Sequence, residues 1–250
     1  MPTILTCALI AQNVYESRPS TIIGYNPIYC SPGDPTGFFG VAYQGQVGVI
    51  AFRGSQEKED WTDADVDIAR DRLPSSQIGD AFSFFTKARE MLLKNGCKRF
   101  VVVGHSLGGG LAALVASNTK AHPTRGLTFN APGMKGISRF GNVVDPELDK
   151  AIAKTAMIVG VATLSPLLGL ATGAALKAYS MSLAGGGATL NLPGKNIDEV
   201  YNVRSAADVV SRAKGNYIGK PPYVIRSAGL HQMGPLIDAL REHPVGAFHV

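Results

Sequence analysis

The chain has 250 residues, 45% of them apolar and 17% charged, with a formal net charge of +5. That is enough apolar material for a packed core, so a disordered or fibrous chain is excluded. The positive balance contains no long basic block, which argues against nucleic acid as a partner; it leaves either an ordinary basic surface or a mild attraction to anionic membranes.

A polar lead-in with a short helix over 8–15 comes first. An irregular loop marked by Pro27, Pro32, Gly33 and Pro35 follows. Residues 38–43 and 47–52 read as strands joined at Gln44-Gly45-Gln46, a hairpin. Residues 53–76 are polar and acidic and carry Trp61. Phe82, Phe85, Ala88, Met91 and Leu92 recur at helical spacing, which predicts a helix over 79–94. A strand is expected over 99–103 and a helix over 107–117. Further strands are expected over 126–130, 200–204 and 222–226, with a short closing helix over 236–241. Strands alternating with helices imply an α/β fold in one domain, 1–250, its mostly parallel sheet covered by helices on both faces.

One segment departs from this rhythm. Between 155 and 194 the sole charged residue is Lys177, and 156–176 is a run of 21 uncharged residues, long enough to span a bilayer. Its Gly, Ala and Thr content and Pro166 at its middle favour two short apolar helices folded over the site as a cap or lid insert. Gly185-Gly186-Gly187 would be its hinge. Buried core helices and true membrane insertion are the other readings.

Cys7, Cys30 and Cys97 are widely spaced and show no zinc or redox pattern, so buried thiols in a reducing compartment are expected. The opening residues Met1-Pro2-Thr3-Ile4-Leu5-Thr6 lack the positive region of a signal peptide. The expected location is therefore the cytoplasm, or one reached by a signal-peptide-independent route.

The chemistry is concentrated in Gly104-His105-Ser106-Leu107-Gly108, a G-x-S-x-G motif. It lies between the valine strand Phe100-Val101-Val102-Val103 and the helix-forming stretch Leu111-Ala112-Ala113-Leu114-Val115-Ala116. A strand turning this sharply into a helix lifts the serine hydroxyl out of the sheet and aims the helix's free amides at it. Ser106 is the candidate nucleophile, with a structural glycine turn as the plainer alternative.

A serine hydroxyl needs a neutral imidazole as base, and the imidazole needs a carboxylate to hold its tautomer. Behind such an elbow the chain order is serine, acid, histidine. His122 precedes every later acid and fails that order. His243 and His249 lie at the C-terminus and read as surface residues. His231, in Gly229-Leu230-His231-Gln232-Met233, remains as the base; a structural loop histidine is the alternative. The acids available are Asp145, Glu147, Asp149, Asp198, Glu199 and Asp208. Asp208 follows the strand Val200-Tyr201-Asn202-Val203-Arg204 after Ser205-Ala206-Ala207, at the edge where a loop histidine can be reached. A helix-capping role is its alternative. Asp198 and Glu199 precede that strand and belong at the opposite edge. The oxyanion hole would take the Leu107 amide and a donor from Ser55, which follows the strand ending Phe52-Arg53-Gly54. His105 reads as a packing residue. No cofactor is implied, and no His/Cys/Asp cluster has metal-ligand spacing.

These segments together resemble the class 3 lipase family of α/β-hydrolases. The resemblance rests on Val49-Ile50-Ala51-Phe52-Arg53-Gly54-Ser55 with Asp60-Trp61-Thr62-Asp63, on the elbow, and on Tyr201-Asn202-Val203-Arg204-Ser205-Ala206-Ala207-Asp208. Thr128-Phe129-Asn130-Ala131-Pro132-Gly133 adds to it. It implies an α/β-hydrolase fold, Ser106, Asp208 and His231 as the triad, Ser55 and Leu107 as the oxyanion hole, and a lid over 56–74. That stretch is acidic here (Glu57, Glu59, Asp60, Asp63, Asp65, Asp67), unlike an oily lid, and the 155–194 insert is not a general feature of the family.

The expected function is a serine hydrolase cleaving a carboxylic ester of a lipid, a lipase or phospholipase, through an acyl-enzyme. A lipid or membrane surface is the expected partner, with an inhibitor or immunity protein if the chain is an antagonistic effector. Two alternatives stand beside it: a membrane-inserting effector on a hydrolase scaffold, and a soluble short-chain esterase or thioesterase.

Overall fold

The computed structural model describes residues 2–32, 37–54, 75–119, 124–134, 197–212, 217–226 and 231–243. The first helix, α1 (Ile4–Asn13), starts earlier than the sequence suggests because Thr3 caps it. Thr3 Oγ1 accepts the Thr6 amide at 3.0 Å, satisfying a donor that a helix start leaves free. Cys7, Ala8, Ile10, Ala11 and Val14 form its buried face.

Strand β1 (Asn26–Cys30) occupies part of what the prolines marked as loop. Pro27 is tolerated because β1 is the outermost strand of the described sheet, and its register against the next strand shifts between Pro27 and Tyr29. The hairpin is formed as expected by β2 (Gly40–Gln44) and β3 (Gly48–Phe52). Then come α2 (Ser75–Lys94), β4 (Phe100–His105), α3 (Leu107–Asn118) and β5 (Thr124–Phe129). The chain is described again from a 3₁₀ turn, Ile197–Glu199, through β6 (Val200–Ser205) and β7 (Tyr223–Ile225) to α4 (Met233–Glu242).

The seven described strands form one sheet in chain order, antiparallel from β1 to β3 and parallel from β3 to β7. This is the mostly parallel sheet of an α/β-hydrolase fold. Crossovers between parallel strands are right-handed, so consecutive ones advancing the same way put their helices on the same face. Accordingly α2 and α3 share one face, where Phe84, Phe85, Leu92, Leu111 and Leu114 meet Phe52, Phe100 and Val102. The other face is closed by the helices nearest the two ends of the described chain. Ile10 and Val14 of the α1 region and Leu236 and Leu240 of α4 bury Val101, Val103 and Leu127 there. Each such side chain taken fully out of water contributes roughly 1.5–3 kcal/mol. Strand β4 is buried along its whole length, alternating between the two cores, which is why it reads as an unbroken apolar run.

The carboxyl ends of β4, β5 and β6 therefore meet at one edge, between the two helical layers. The proposed cap insert, 155–194, and the acidic stretch 56–74 lie outside the described residues. Among the described residues no helix is long and apolar enough to cross a membrane.

Candidate active site

Ser106 stands between β4 and α3 with φ 55° and ψ −132°, a backbone conformation that costs a non-glycine residue on the order of 1–3 kcal/mol. The surroundings hold it there. Its amide donates to the Phe129 carbonyl at 3.0 Å, and its carbonyl accepts the Gly109 and Gly110 amides at 2.9 and 3.2 Å. The flanking glycines are required by space. A Cβ on Gly104 would lie 2.2 Å from the Gly108 oxygen, and one on Gly108 would lie 2.3 Å from the Phe52 oxygen. The G-x-S-x-G spacing is thus the footprint of backbone packed on backbone. Leu107 opens α3, so its amide is among those with no intrahelical acceptor.

Asp208 comes just past β6 and is fully buried. Its Oδ1 accepts His231 Nδ1 at 2.7 Å, and its Oδ2 accepts the Ser211 amide at 2.8 Å. One carboxylate therefore both caps the turn and holds the His231 ring. His231 lies just ahead of α4. Its Nε2 is buried and has no hydrogen-bond partner among the described residues. The structure forms no Ser106–His231 hydrogen bond; His231 meets the elbow through Ser106's neighbour, His105, whose ring centroid is 4.7 Å from that of His231. In the free state such bonds are often long and tighten only with substrate bound.

Ser55 lies outside the described residues. Gly54, its neighbour, packs on the elbow so closely that a Cβ there would be 3.2 Å from Ser106 Cβ and 2.8 Å from the His105 oxygen. The loop after β3 thus runs beside Ser106. Glu199 sits at the amino end of β6 and pairs with Arg125 at 2.6 Å, at the far edge from the site, as expected. Asp145, Glu147, Asp149, His122 and His249 are outside the described residues. His243 is exposed at the end of α4. Among the described residues no group of three His, Cys, Asp or Glu could hold a metal ion.

Three residues enter the site to which sequence reasoning gave no part in it. His105 is more than packing: its Nε2 bonds the His231 carbonyl at 2.8 Å and its Nδ1 lies 3.2 Å from Tyr15 Oη. Burial first, then the neighbouring His231 ring, lowers the His105 pKa to about 3, so the ring is neutral. Tyr15, just after α1, carries no local signal of such a role. Asn130 does: asparagine after a strand and before Ala131-Pro132 suits a left-handed turn, and its φ is 46°. Its Oδ1 accepts the Ser205 amide at 2.7 Å and its Nδ2 donates to the His231 carbonyl at 3.3 Å.

A mostly parallel sheet with helices on both faces and a glycine-framed elbow between β4 and α3 is an α/β-hydrolase fold. The chain belongs to the phospholipase-like family of Tle-like phospholipase domains, whose model matches residues 6–141. The resemblance to class 3 lipases agrees with this membership. No curated protein matches the chain in sequence. Among solved structures it is similar to a triacylglycerol lipase from Penicillium expansum, at 15% identity over 51% of this chain and 57% of that one, TM-score 0.35. It is similar also to a lipase from Rhizopus microsporus var. chinensis, at 15% identity over 52% and 56%, TM-score 0.37. The Rhizomucor miehei lipase propeptide complex matches at 14% identity over 88% and 66%, TM-score 0.40. The chain thus spans 56–66% of the length of these lipases.

Proposed function

We propose that the chain hydrolyses an acyl ester of a phospholipid through a covalent acyl-enzyme on Ser106. The observation that carries the reading is the buried Asp208–His231 pair, which leaves His231 Nε2 buried and unpartnered beside the strained elbow. A carboxylate on Nδ1 fixes the proton there and leaves Nε2 as the basic atom. His231 Nε2 takes the proton of Ser106 Oγ as the oxygen attacks the ester carbonyl. The tetrahedral oxyanion is met by the Leu107 amide and a donor from Ser55; each such donor lowers the barrier by roughly 2.7–4 kcal/mol. His231 then passes its proton to the leaving alcohol as the carbon–oxygen bond breaks. Water, deprotonated by the same nitrogen, attacks the acyl-enzyme and releases the fatty acid with Ser106 restored. The phospholipid is chosen over triacylglycerol on the phospholipase-like family membership.

The test is labelling by a fluorophosphonate with mapping of the modified peptide, together with fatty acid release from phosphatidylglycerol and phosphatidylcholine vesicles and from a triacylglycerol emulsion. The reading expects label on Ser106, phospholipid cleavage, and loss of both in Ser106→Ala. Label elsewhere, or cleavage that survives Ser106→Ala, overturns the mechanism. Cleavage of the triacylglycerol alone overturns the choice of substrate. Leakage of a trapped dye with no fatty acid release in the wild type would favour membrane insertion instead.

A further inference from the structure

We infer that Tyr15 and His105 form a one-directional hydrogen-bond relay that ties the loop after β3 to the backbone of His231 and so positions that histidine. The inference rests on the reading of His231 as the base.

The direction follows from valence. The His231 carbonyl can only accept, so the bond at 2.8 Å requires the proton on His105 Nε2. His105 is buried and neutral, so its Nδ1 carries no proton and accepts. The partner of Nδ1 is Tyr15 Oη at 3.2 Å, which therefore donates. Burial pushes the Tyr15 phenol up to about 12, which keeps that proton in place. The Tyr15 oxygen in turn accepts the Gly54 amide at 3.0 Å. Each group is used once, in a single order: Gly54 N–H to Tyr15 O–H to His105 Nδ1, then His105 Nε2–H to the His231 carbonyl. The other acceptor near Tyr15 Oη, the His105 carbonyl, is at 3.5 Å, the limit of a hydrogen bond. Choosing it would strip Nδ1 of its donor.

Two consequences follow. The Gly54 amide is committed to Tyr15 and is not free for an oxyanion. The His231 ring and backbone are held separately, the ring by Asp208 and the carbonyl by His105 and Asn130. Tyr15 and His105 are thus positioning residues. Removing either should loosen the base without changing how a substrate is held.

The experiment measures kcat and KM for p-nitrophenyl butyrate in wild type, Tyr15→Phe, His105→Phe, His105→Gln and the double variant Tyr15→Phe/His105→Phe, with His231→Ala as the floor. Both Phe variants should lose kcat by about 10²-fold with KM unchanged, since a small misplacement of a catalytic group costs on that order. His105→Gln should recover most of it, because the amide can donate to the carbonyl and accept from Tyr15. The double variant should be no worse than the worse single variant. Wild-type kcat in both Phe variants, with His231→Ala inactive, overturns the relay and leaves the base intact. Full activity in His231→Ala overturns the base reading instead. An imidazole ¹⁵N spectrum of the wild-type protein decides the case should the variants fail to fold. His105 with its proton on Nε2 supports the relay, and with its proton on Nδ1 overturns it.

Discussion

Asp208 Oδ1 lies 2.7 Å from His231 Nδ1, and the same carboxylate, through Oδ2, accepts the Ser211 amide that follows it. One buried acid thus builds the turn after β6 and orients the ring opposite it. The turn and the orientation of the His231 ring are coupled through a single side chain.

The two duties separate in Asp208→Asn. Asparagine caps a helical turn nearly as well as aspartate, so the fold should hold. Its amide can donate to His231 Nδ1, which puts the imidazole proton on the wrong nitrogen. Turnover should fall by about 10⁴-fold with the urea midpoint near wild type. Near-normal turnover would move the acid elsewhere in the chain.

Stability should depend on pH through His105. Its folded value of about 3 lies below the ordinary 6.5. Between those values the unfolded chain binds a proton that the folded chain refuses, so unfolding takes up protons and is favoured by acid. The contribution is whole above 6.5 and falls by up to about 1.4 kcal/mol per pH unit below it, toward 3. Urea midpoints at several acidic pH values should drop less steeply in His105→Gln than in wild type. Parallel slopes would contradict the buried, uncharged ring.

Gly104→Ala should be severely destabilising, by more than the roughly 1–3 kcal/mol of ordinary overpacking. The added methyl meets the Gly108 oxygen at 2.2 Å and its carbonyl carbon at 2.3 Å, and neither can swing aside. Gly234→Ala is the matched comparison: its Cβ meets nothing within 4 Å on α4, and it should gain a few tenths to about 1 kcal/mol. Chemical denaturation of the pair checks both signs.

Asn130 carries a left-handed backbone and two side-chain bonds. Asn130→Ala should lose all of these, a total of roughly 2–4 kcal/mol. Asn130→Gly should recover the backbone part, about 1–2 kcal/mol, yet leave the Ser205 amide and the His231 carbonyl each short of a partner. If the two variants are equally stable, the left-handed geometry is not strained.

Much of the architecture was legible because burial on two faces leaves a periodic trace. β4 reads as valine after valine since both sides are covered, and α2 repeats its phenylalanines because one side is. The ends of elements were less legible. α1 begins at Ile4 through a threonine hydroxyl, and β1 keeps Pro27 because no strand lies beyond it among the described residues. Neither depends on hydropathy.

Ser106, Asp208 and His231 could be proposed together from linear order, because an elbow needs glycines at fixed offsets and the proposed acid and base must follow it along the chain. Tyr15 could not. It lies 90 residues before His105, and nothing in its neighbours marks it. Its role exists because α1 folds back against β4 and brings a phenol to a buried imidazole. A hydrogen-bond chain is a property of proximity and valence, and proximity between distant segments is written only in the packed core.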